Sequence, residues 1–85
     1  MINKIKLKSM SKTLEPIVRI GKNGLTEGII KEIKTHLKKR RLIKIKLLPS
    51  FIQEKNKKEL IKNISTITDS EVIESVGFTV TLHKK

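Results

Sequence analysis

Two glycines enclose a short polar segment, Gly21-Lys22-Asn23-Gly24, between an apolar β-branched run and the start of an amphipathic stretch. Glycine has no Cβ, so a phosphate or a ribose can approach the main chain closely at such a turn. Lys22 adds a full positive charge at its tip. The helix that we expect next leaves amides without intrahelical partners in its first turn and carries a partial positive charge there. The segment is therefore a candidate site for a phosphate group.

The helix predicted after this turn could extend the site. Gly28 falls in its first turn and removes one more side chain from the approach path. Lysines recur at helical spacing along one side of it. A Gly-x-x-Gly pattern also arises by chance, and charge on a helix is usually only solvated. Loop and helix together give the candidate site residues Gly21, Lys22, Asn23, Gly24, Gly28, Lys31, Lys34 and Lys38.

The charge balance favours a polyanionic partner. The chain has 85 residues, with 20 Lys+Arg against 8 Asp+Glu and a formal net charge of +12. Such an excess attracts nucleic acid or, as a second choice, an anionic membrane surface. Biased residue usage or adaptation to high temperature can also enrich lysine, but the latter normally raises Glu along with Lys. Nucleic acid is therefore the favoured partner.

The aromatic content narrows the mode of binding. The chain has 2 Phe, 0 Tyr and 0 Trp. RNA-recognition motifs and most oligonucleotide-binding barrels stack bases on several aromatic side chains. This sequence cannot supply such a platform, so we expect binding through backbone phosphates, sugars and shape.

Several classes of protein are disfavoured. Cysteine is absent, which excludes disulfides, thiolate zinc sites and cysteine nucleophiles. No apolar run approaches the ~20 residues of a membrane helix, and the first residues lack the apolar core of a secretory signal. We expect one cytoplasmic domain over residues 1–85 with no membrane partner.

The sequence gives little support for catalysis. His36 and His83 are far apart along the chain, and His36 is interpreted as a surface residue. Gly24-Leu25-Thr26 does not complete a phosphate-binding Walker pattern. No pair of acidic residues has a convincing metal-site spacing. We expect no enzymatic activity, no cofactor, no metal and no small-molecule substrate.

Hydrophobic periodicity predicts an α+β fold. Helical spacing indicates helices over Asn3–Leu14, about Glu27–Lys39 and about Gln53–Ile67. β-branched or alternating runs indicate strands over Ile17–Ile20, Leu42–Leu48, Glu71–Val76 and Thr79–His83. Thr26 is the predicted cap of the second helix, and Gly77 is the predicted turn of a terminal hairpin. The order α-β-α-β-α-β-β predicts a single compact domain with a four-stranded mixed sheet, right-handed crossovers and helices packed mainly on one face.

The residues around the glycine loop resemble a known family. Leu14–Thr26, with the sequence LEPIVRIGKNGLT, resembles the signature of the CRM domain (chloroplast RNA splicing and ribosome maturation) in its single-domain, YhbY-like form. Leu42–Lys46 and Val76–Leu82 resemble the second strand and the closing hairpin of that family, so the similarity spans nearly the whole chain. One departure is His83-Lys84, where family members often have an aromatic residue and an arginine.

This resemblance implies a fold similar to the C-terminal domain of translation initiation factor three and a non-catalytic RNA-binding function. It implies that a G-x-x-G loop, here Gly21–Gly24, contacts the RNA backbone with the lysines of the next helix nearby. Stand-alone members associate with large-subunit ribosomal precursors, so the implied partners are ribosomal RNA or pre-ribosomal particles and the implied process is large-subunit assembly. The alternatives are an Alba-like chromatin protein, which would prefer duplex DNA, and a protein-binding adaptor.

Overall fold

The computed structural model describes residues 4–53 and 55–85. The elements in chain order are α1 (Lys4–Ser11), β1 (Pro16–Ile20), α2 (Glu27–Arg40), β2 (Leu42–Leu47), α3 (Pro49–Ile52), α4 (Lys57–Ile67), β3 (Ser70–Val76) and β4 (Thr79–Lys84). The strands form one 4-stranded sheet in the order β1-β2-β4-β3. β1 and β2 are parallel, whereas β4 is antiparallel to both of its neighbours. The predicted α+β fold with a mixed sheet is confirmed.

The main core lies between one face of the sheet and helices α2 and α4. Side chains of a strand alternate between the two faces, so each of the three strands β1, β2 and β4 sends every second residue into this core. The buried strand residues are Val18, Ile20, Ile43, Ile45, Leu47, Val80 and Leu82. They meet the buried stripes of the two helices, which are Ile33, Leu37, Ile61 and Ile64.

Helix α1 packs against the opposite face of the sheet. Its Leu7 forms a small separate cluster with Leu42 and Ile73. The hydroxyls of Ser11 and Thr81, both buried, lie 2.5 Å apart and form a hydrogen bond between α1 and β4. The helices are therefore mainly on one face, as predicted, and α1 covers part of the other.

The first helix is shorter than predicted. It ends at Ser11 rather than at Leu14, and the predicted start at Asn3 lies outside the described residues. After Ser11 the chain tightens, because the amides of Thr13 and Leu14 donate three residues back to Met10 O at 3.2 Å and Ser11 O at 3.1 Å. Such three-residue bonds are common where helices end.

The region predicted as one helix from Gln53 to Ile67 is divided differently. A short helix, α3, precedes Gln53, and α4 begins only at Lys57. Gln53 has a φ of 42°, which a helix does not accept. Asn56 caps α4 with its side-chain oxygen, which accepts from Lys58 N at 2.9 Å and Glu59 N at 3.3 Å. This cap explains the later start; position 54 lies outside the described residues.

The terminal hairpin has the predicted glycine turn. Val76 pairs with Thr79 across β3 and β4, so Gly77 and Phe78 form a two-residue loop. Gly77 has a φ of 57°, the positive value that a type II′ turn requires at its first loop position. The turn places Phe78 at the tip of the hairpin.

Candidate nucleic-acid interface

The Gly21–Gly24 segment forms a tight turn whose tip is exposed. The amide of Gly24 donates to the carbonyl of Gly21 at 2.9 Å. Gly24 has a φ of 70°, a left-handed conformation that glycine adopts without a steric cost. Lys22 and Asn23 occupy the central positions of the turn, and both are exposed. The turn therefore presents a cation and an amide side chain to solvent.

The inner side of the turn packs against Leu48, which follows β2, and against Phe51 of α3. The amide of Leu48 donates to the carbonyl of Ile20 at 2.9 Å, which holds the end of β1 beside the end of β2. The ring of Phe51 lies 3.6 Å from the position that a Cβ on Gly24 would occupy. Phe51 is only 5% exposed. The loop thus packs on the buried core, and Lys22 and Asn23 remain exposed on its outer surface.

The first turn of α2 adds unpaired amides next to the loop. Thr26 caps the helix by accepting from Ile29 N at 3.2 Å. The amides of Glu27 and Gly28 precede the first intrahelical bond and point out of the helix end. Within residues 4–53 and 55–85, no backbone hydrogen bond uses the amides of Lys22 or Asn23. A Cβ on Gly28 would meet only Thr26 Oγ1, at 3.8 Å, so the helix surface at Gly28 is uncrowded.

Arg19 joins the site, although the sequence reasoning did not include it. It is exposed on β1, which is an edge strand. A shallow depression contains the arginine together with the loop and the cap, and its lining residues are Arg19, Gly21, Lys22, Asn23, Gly24, Thr26 and Ile29. An arginine can donate two parallel hydrogen bonds to a phosphate. The sequence does contain a sign that Arg19 faces solvent: it alternates along β1 with Val18 and Ile20, which are buried.

The lysines predicted on α2 do not all lie near the loop. Lys31, Lys34 and Lys38 are exposed. Lys34 and Lys38, however, line a different depression, together with Leu37, Thr68, Asp69 and Lys84. At a rise of about 1.5 Å per residue, Lys38 is ~15 Å along the helix axis from Gly28. The structure brings the loop, Gly28 and Arg19 together, whereas Lys34 and Lys38 form a more distant part of the basic surface.

The charges of the loop are not neutralised by nearby carboxylates. In the described part of the chain, Lys4 forms an ion pair with Glu71 at 3.9 Å, and His36 Nε2 lies 3.9 Å from Glu32 Oε1. Neither pair involves a candidate site residue or Arg19. The charges of Lys22 and Arg19 therefore remain available to an anionic partner.

The histidines occupy separate positions. His36 is half-buried on α2 beside Glu32, as expected of a residue at the helix surface. His83 lies in β4, where it pairs with Leu42 on one side and Glu71 on the other. Among the residues that the structure describes, no three His, Cys, Asp or Glu side chains gather as metal ligands would. Over the same residues, no helix has the length and apolar character needed to cross a membrane.

Sequence comparison defines the family. The profile of the CRS1 / YhbY (CRM) domain matches residues 3–84. The chain therefore belongs to the CRM domain family, as its loop and hairpin sequences indicated.

Individual relatives agree with this assignment. A protein of Methanocaldococcus jannaschii, "Probable RNA-binding protein MJ0652", is 36% identical over 78 residues, which are 92% of this chain and 58% of that protein. The chain thus spans little more than half of that relative. "Probable RNA-binding protein YqeI" of Bacillus subtilis is 32% identical over 79 residues, which are 93% of this chain and 80% of the relative. The solution structure of the hypothetical protein SAV1595 from Staphylococcus aureus is similar with a TM-score of 0.79 and 33% identity, covering 100% of this chain and 90% of that one.

Proposed function

We propose that this protein is a non-catalytic RNA-binding module that holds the RNA backbone at the Gly21–Gly24 loop and the start of α2. The observation that carries the proposal is the shared depression of the loop, the Thr26 cap and Arg19. There, the exposed Lys22 and Arg19 stand beside the first turn of α2, where the amides have no intrahelical partner. Phosphate oxygens are the acceptors that such an arrangement suits.

The basic helix continues the same surface. Lys31 lies one turn beyond Gly28, close enough for the same stretch of backbone. Lys34 and Lys38 would meet RNA further along, because they lie toward the other end of α2. In this proposal the loop provides the geometrically defined contact, and the lysines extend the electrostatic attraction.

RNA is favoured over duplex DNA as the ligand. The Methanocaldococcus and Bacillus relatives both carry the name "Probable RNA-binding protein", and membership of the CRM family argues against the Alba-like alternative. Competition between a structured RNA and a DNA duplex of equal length at one salt concentration tests this choice. We expect the RNA to displace the DNA; the reverse result would overturn the preference.

We further propose a cytoplasmic role in assembly of the large ribosomal subunit, with ribosomal RNA or pre-ribosomal particles as the partner. Support for this step comes from the family resemblance of the loop and hairpin sequences. Crosslinking the protein to RNA in cells and sequencing the attached fragments tests it. The expected fragments come from large-subunit ribosomal RNA; an even distribution over messenger and transfer RNA would contradict the ribosomal assignment.

The contact at the loop is tested by the double variant Lys22→Asp/Asn23→Asp. Both positions are exposed, so we expect little change in melting temperature. Affinity for RNA should fall roughly tenfold or more, because a charge-assisted contact is replaced by repulsion. A gel-shift or anisotropy titration at fixed salt measures the change.

A matched control separates a local contact from a change in overall charge. The variant Lys85→Asp/Asn63→Asp changes the net charge by the same amount. Lys85 follows the end of β4, at the end of the sheet opposite the hairpin tip, and Asn63 lies within α4. We expect a much smaller loss of affinity in this control. Equal losses in the two variants would show that the loop has no special role.

A further inference from the structure

The tip of the β3–β4 hairpin lies at the same end of the sheet as the glycine loop, where β1 and β2 finish. The amide of Leu47 donates to the carbonyl of Phe78 at 2.7 Å, and the next amide, that of Leu48, donates to Ile20 O at 2.9 Å. Ile20 immediately precedes Gly21. Neighbouring strands are about 4.8 Å apart, so the hairpin tip is about two strand spacings, ~10 Å, from the start of the loop.

Phe78 is the exposed one of the chain's two phenylalanines. It is 49% exposed, whereas Phe51 is 5% exposed and belongs to the core. A single exposed apolar side chain is common on protein surfaces and is not by itself a site. At this tip, however, the ring also has a cationic neighbour, and the Gly21–Gly24 loop lies at the same end of the sheet.

That neighbour is Lys57, the first residue of α4. Its ammonium lies 5.8 Å from the centroid of the Phe78 ring, a distance typical of a cation–π contact. The same ammonium donates to the carbonyl of Gly77. Because α4 is capped by Asn56, the helix start positions the lysine beside the ring. The ring and the charge therefore form one unit, with about half of the aromatic residue open to solvent.

An aromatic ring beside a lysine is a surface that suits a nucleotide. A base can stack on the open part of the ring, and the ammonium can meet the phosphate next to that base. Contacts with phosphates and sugars can be made to paired RNA, whereas stacking on the Phe78 ring requires an unpaired base. The unit lies within about 10 Å of the loop, so one strand of RNA can reach both.

We propose that Phe78 stacks on an unpaired base of the RNA whose backbone is held at the Gly21–Gly24 loop, with Lys57 contacting the adjacent phosphate. This inference rests on the proposed function and adds a structural preference to it. The protein would favour RNA with a loop, bulge or single-stranded end near the bound backbone over a fully paired helix.

A fluorescence experiment tests stacking directly. The chain has 0 Trp and 0 Tyr, so a Phe78→Trp variant carries one indole, at the position of interest. Titration with a stem-loop RNA should quench its emission, while a blunt RNA duplex of equal length should leave the emission largely unchanged. Quenching of equal size by both RNAs, or by neither at saturation, would overturn the proposal.

Affinities give a second, independent readout. Stacking of one base contributes about 1–3 kcal/mol, so Phe78→Ala should weaken binding of the stem-loop by roughly 5- to 140-fold. Val76→Ala is the matched control, because Val76 is apolar, 61% exposed and at the same tip, but has no aromatic face. We expect its affinity to match that of the unchanged protein.

The outcomes separate this inference from the proposed function. If Phe78→Ala binds normally while Lys22→Asp/Asn23→Asp does not, stacking is wrong and the loop contact stands. If both variants bind normally, both proposals fail.

Two further outcomes concern Phe78 alone. If Phe78→Ala changes only the molar mass in light scattering, the tip joins protein copies and stacking is wrong. Should Phe78→Ala melt early, Phe78→Leu keeps an apolar side chain without the ring, and normal binding by that variant would refute stacking.

Discussion

The amide of Lys84 donates to the carbonyl of Arg41 at 2.8 Å, so the end of β4 holds the residue that terminates α2. Arg41 has a φ of 66° and its own amide donates to Leu37 O. Thr26 caps the other end of the same helix. Helix α2 is therefore fixed at both ends, which keeps its first turn in place beside the Gly21–Gly24 loop.

The left-handed conformation of Arg41 predicts a stabilising substitution. A residue with a Cβ pays about 1–2 kcal/mol in this conformation, and glycine does not. We expect Arg41→Gly to raise the free energy of unfolding by up to about 1 kcal/mol, because glycine also makes the unfolded chain more flexible. Urea denaturation measures the change.

Arg40→Gly is the control for that substitution. Arg40 is the last residue of α2, where glycine costs about 1 kcal/mol relative to a good helix former. The two neighbouring substitutions should therefore have opposite signs. A loss of stability in both would mean that the side chain of Arg41, rather than its backbone, stabilises the helix end.

The two glycines that flank the start of α2 should respond differently to alanine. Gly24→Ala places a Cβ on a residue with φ of 70° and should cost about 1–2 kcal/mol. Gly28→Ala places a Cβ within a helix, in ordinary van der Waals contact with Thr26 Oγ1 at 3.8 Å, and should stabilise the protein by up to about 1 kcal/mol. Thermal denaturation of both variants measures the difference.

Gly28→Ala also tests the approach to the helix end. Its added methyl group would stand between the RNA and the amides of the first turn, so we expect weaker RNA binding despite the higher stability. Unchanged affinity in this well-folded variant would mean that the RNA does not reach the amide of Gly28.

The salt dependence of RNA binding should show whether Lys22 contacts a phosphate. Each phosphate neutralised on a single strand contributes about −0.7 to the slope of log K against log salt. Lys22→Gln should therefore make the slope shallower by about 0.7. Lys39→Gln, at an exposed position in the last turn of α2, should leave the slope nearly unchanged. Identical slopes for the unchanged protein and Lys22→Gln would show that Lys22 meets no phosphate.

The buried hydroxyl pair Ser11–Thr81 should show strong coupling. Ser11→Ala or Thr81→Val alone leaves the other hydroxyl buried without its partner, at a cost of about 1–3 kcal/mol. The double variant removes both polar groups, so it should cost clearly less than the sum of the two. A double-mutant cycle in urea measures the coupling; strict additivity would show that the pair does not attach α1 to the sheet.

Much of the fold could be predicted from local patterns. The alternation of Ile43, Ile45 and Leu47 with lysines predicts β2 because side chains of a strand point to opposite faces. Thr26 predicts the start of α2 within one residue of the observed helix. Gly77 predicts the hairpin turn because few other residues adopt its φ. Each of these signals depends on neighbours in sequence alone.

Other features of the fold and the site could not be predicted from such local patterns. Helix α3 has 4 residues, too few to show a hydrophobic period. Asn56 determines where α4 begins, and a cap inside a polar run is easily overlooked. Arg19 reaches the site because β1 is an edge strand, and strand order follows from long-range pairing. The distance of Lys38 from the loop depends on helix length rather than on its angular position.

The position of β4 between β2 and β3 has a consequence for biosynthesis. Among the described strands, the one made last is an inner member of the sheet. During translation, β3 has no partner until β4 leaves the ribosome exit tunnel, and the unpaired edge of β2 stays open for the same period. Nascent chains should therefore remain sensitive to protease and prone to association through strand edges until β4 has left the exit tunnel, and then fold in one late cooperative step.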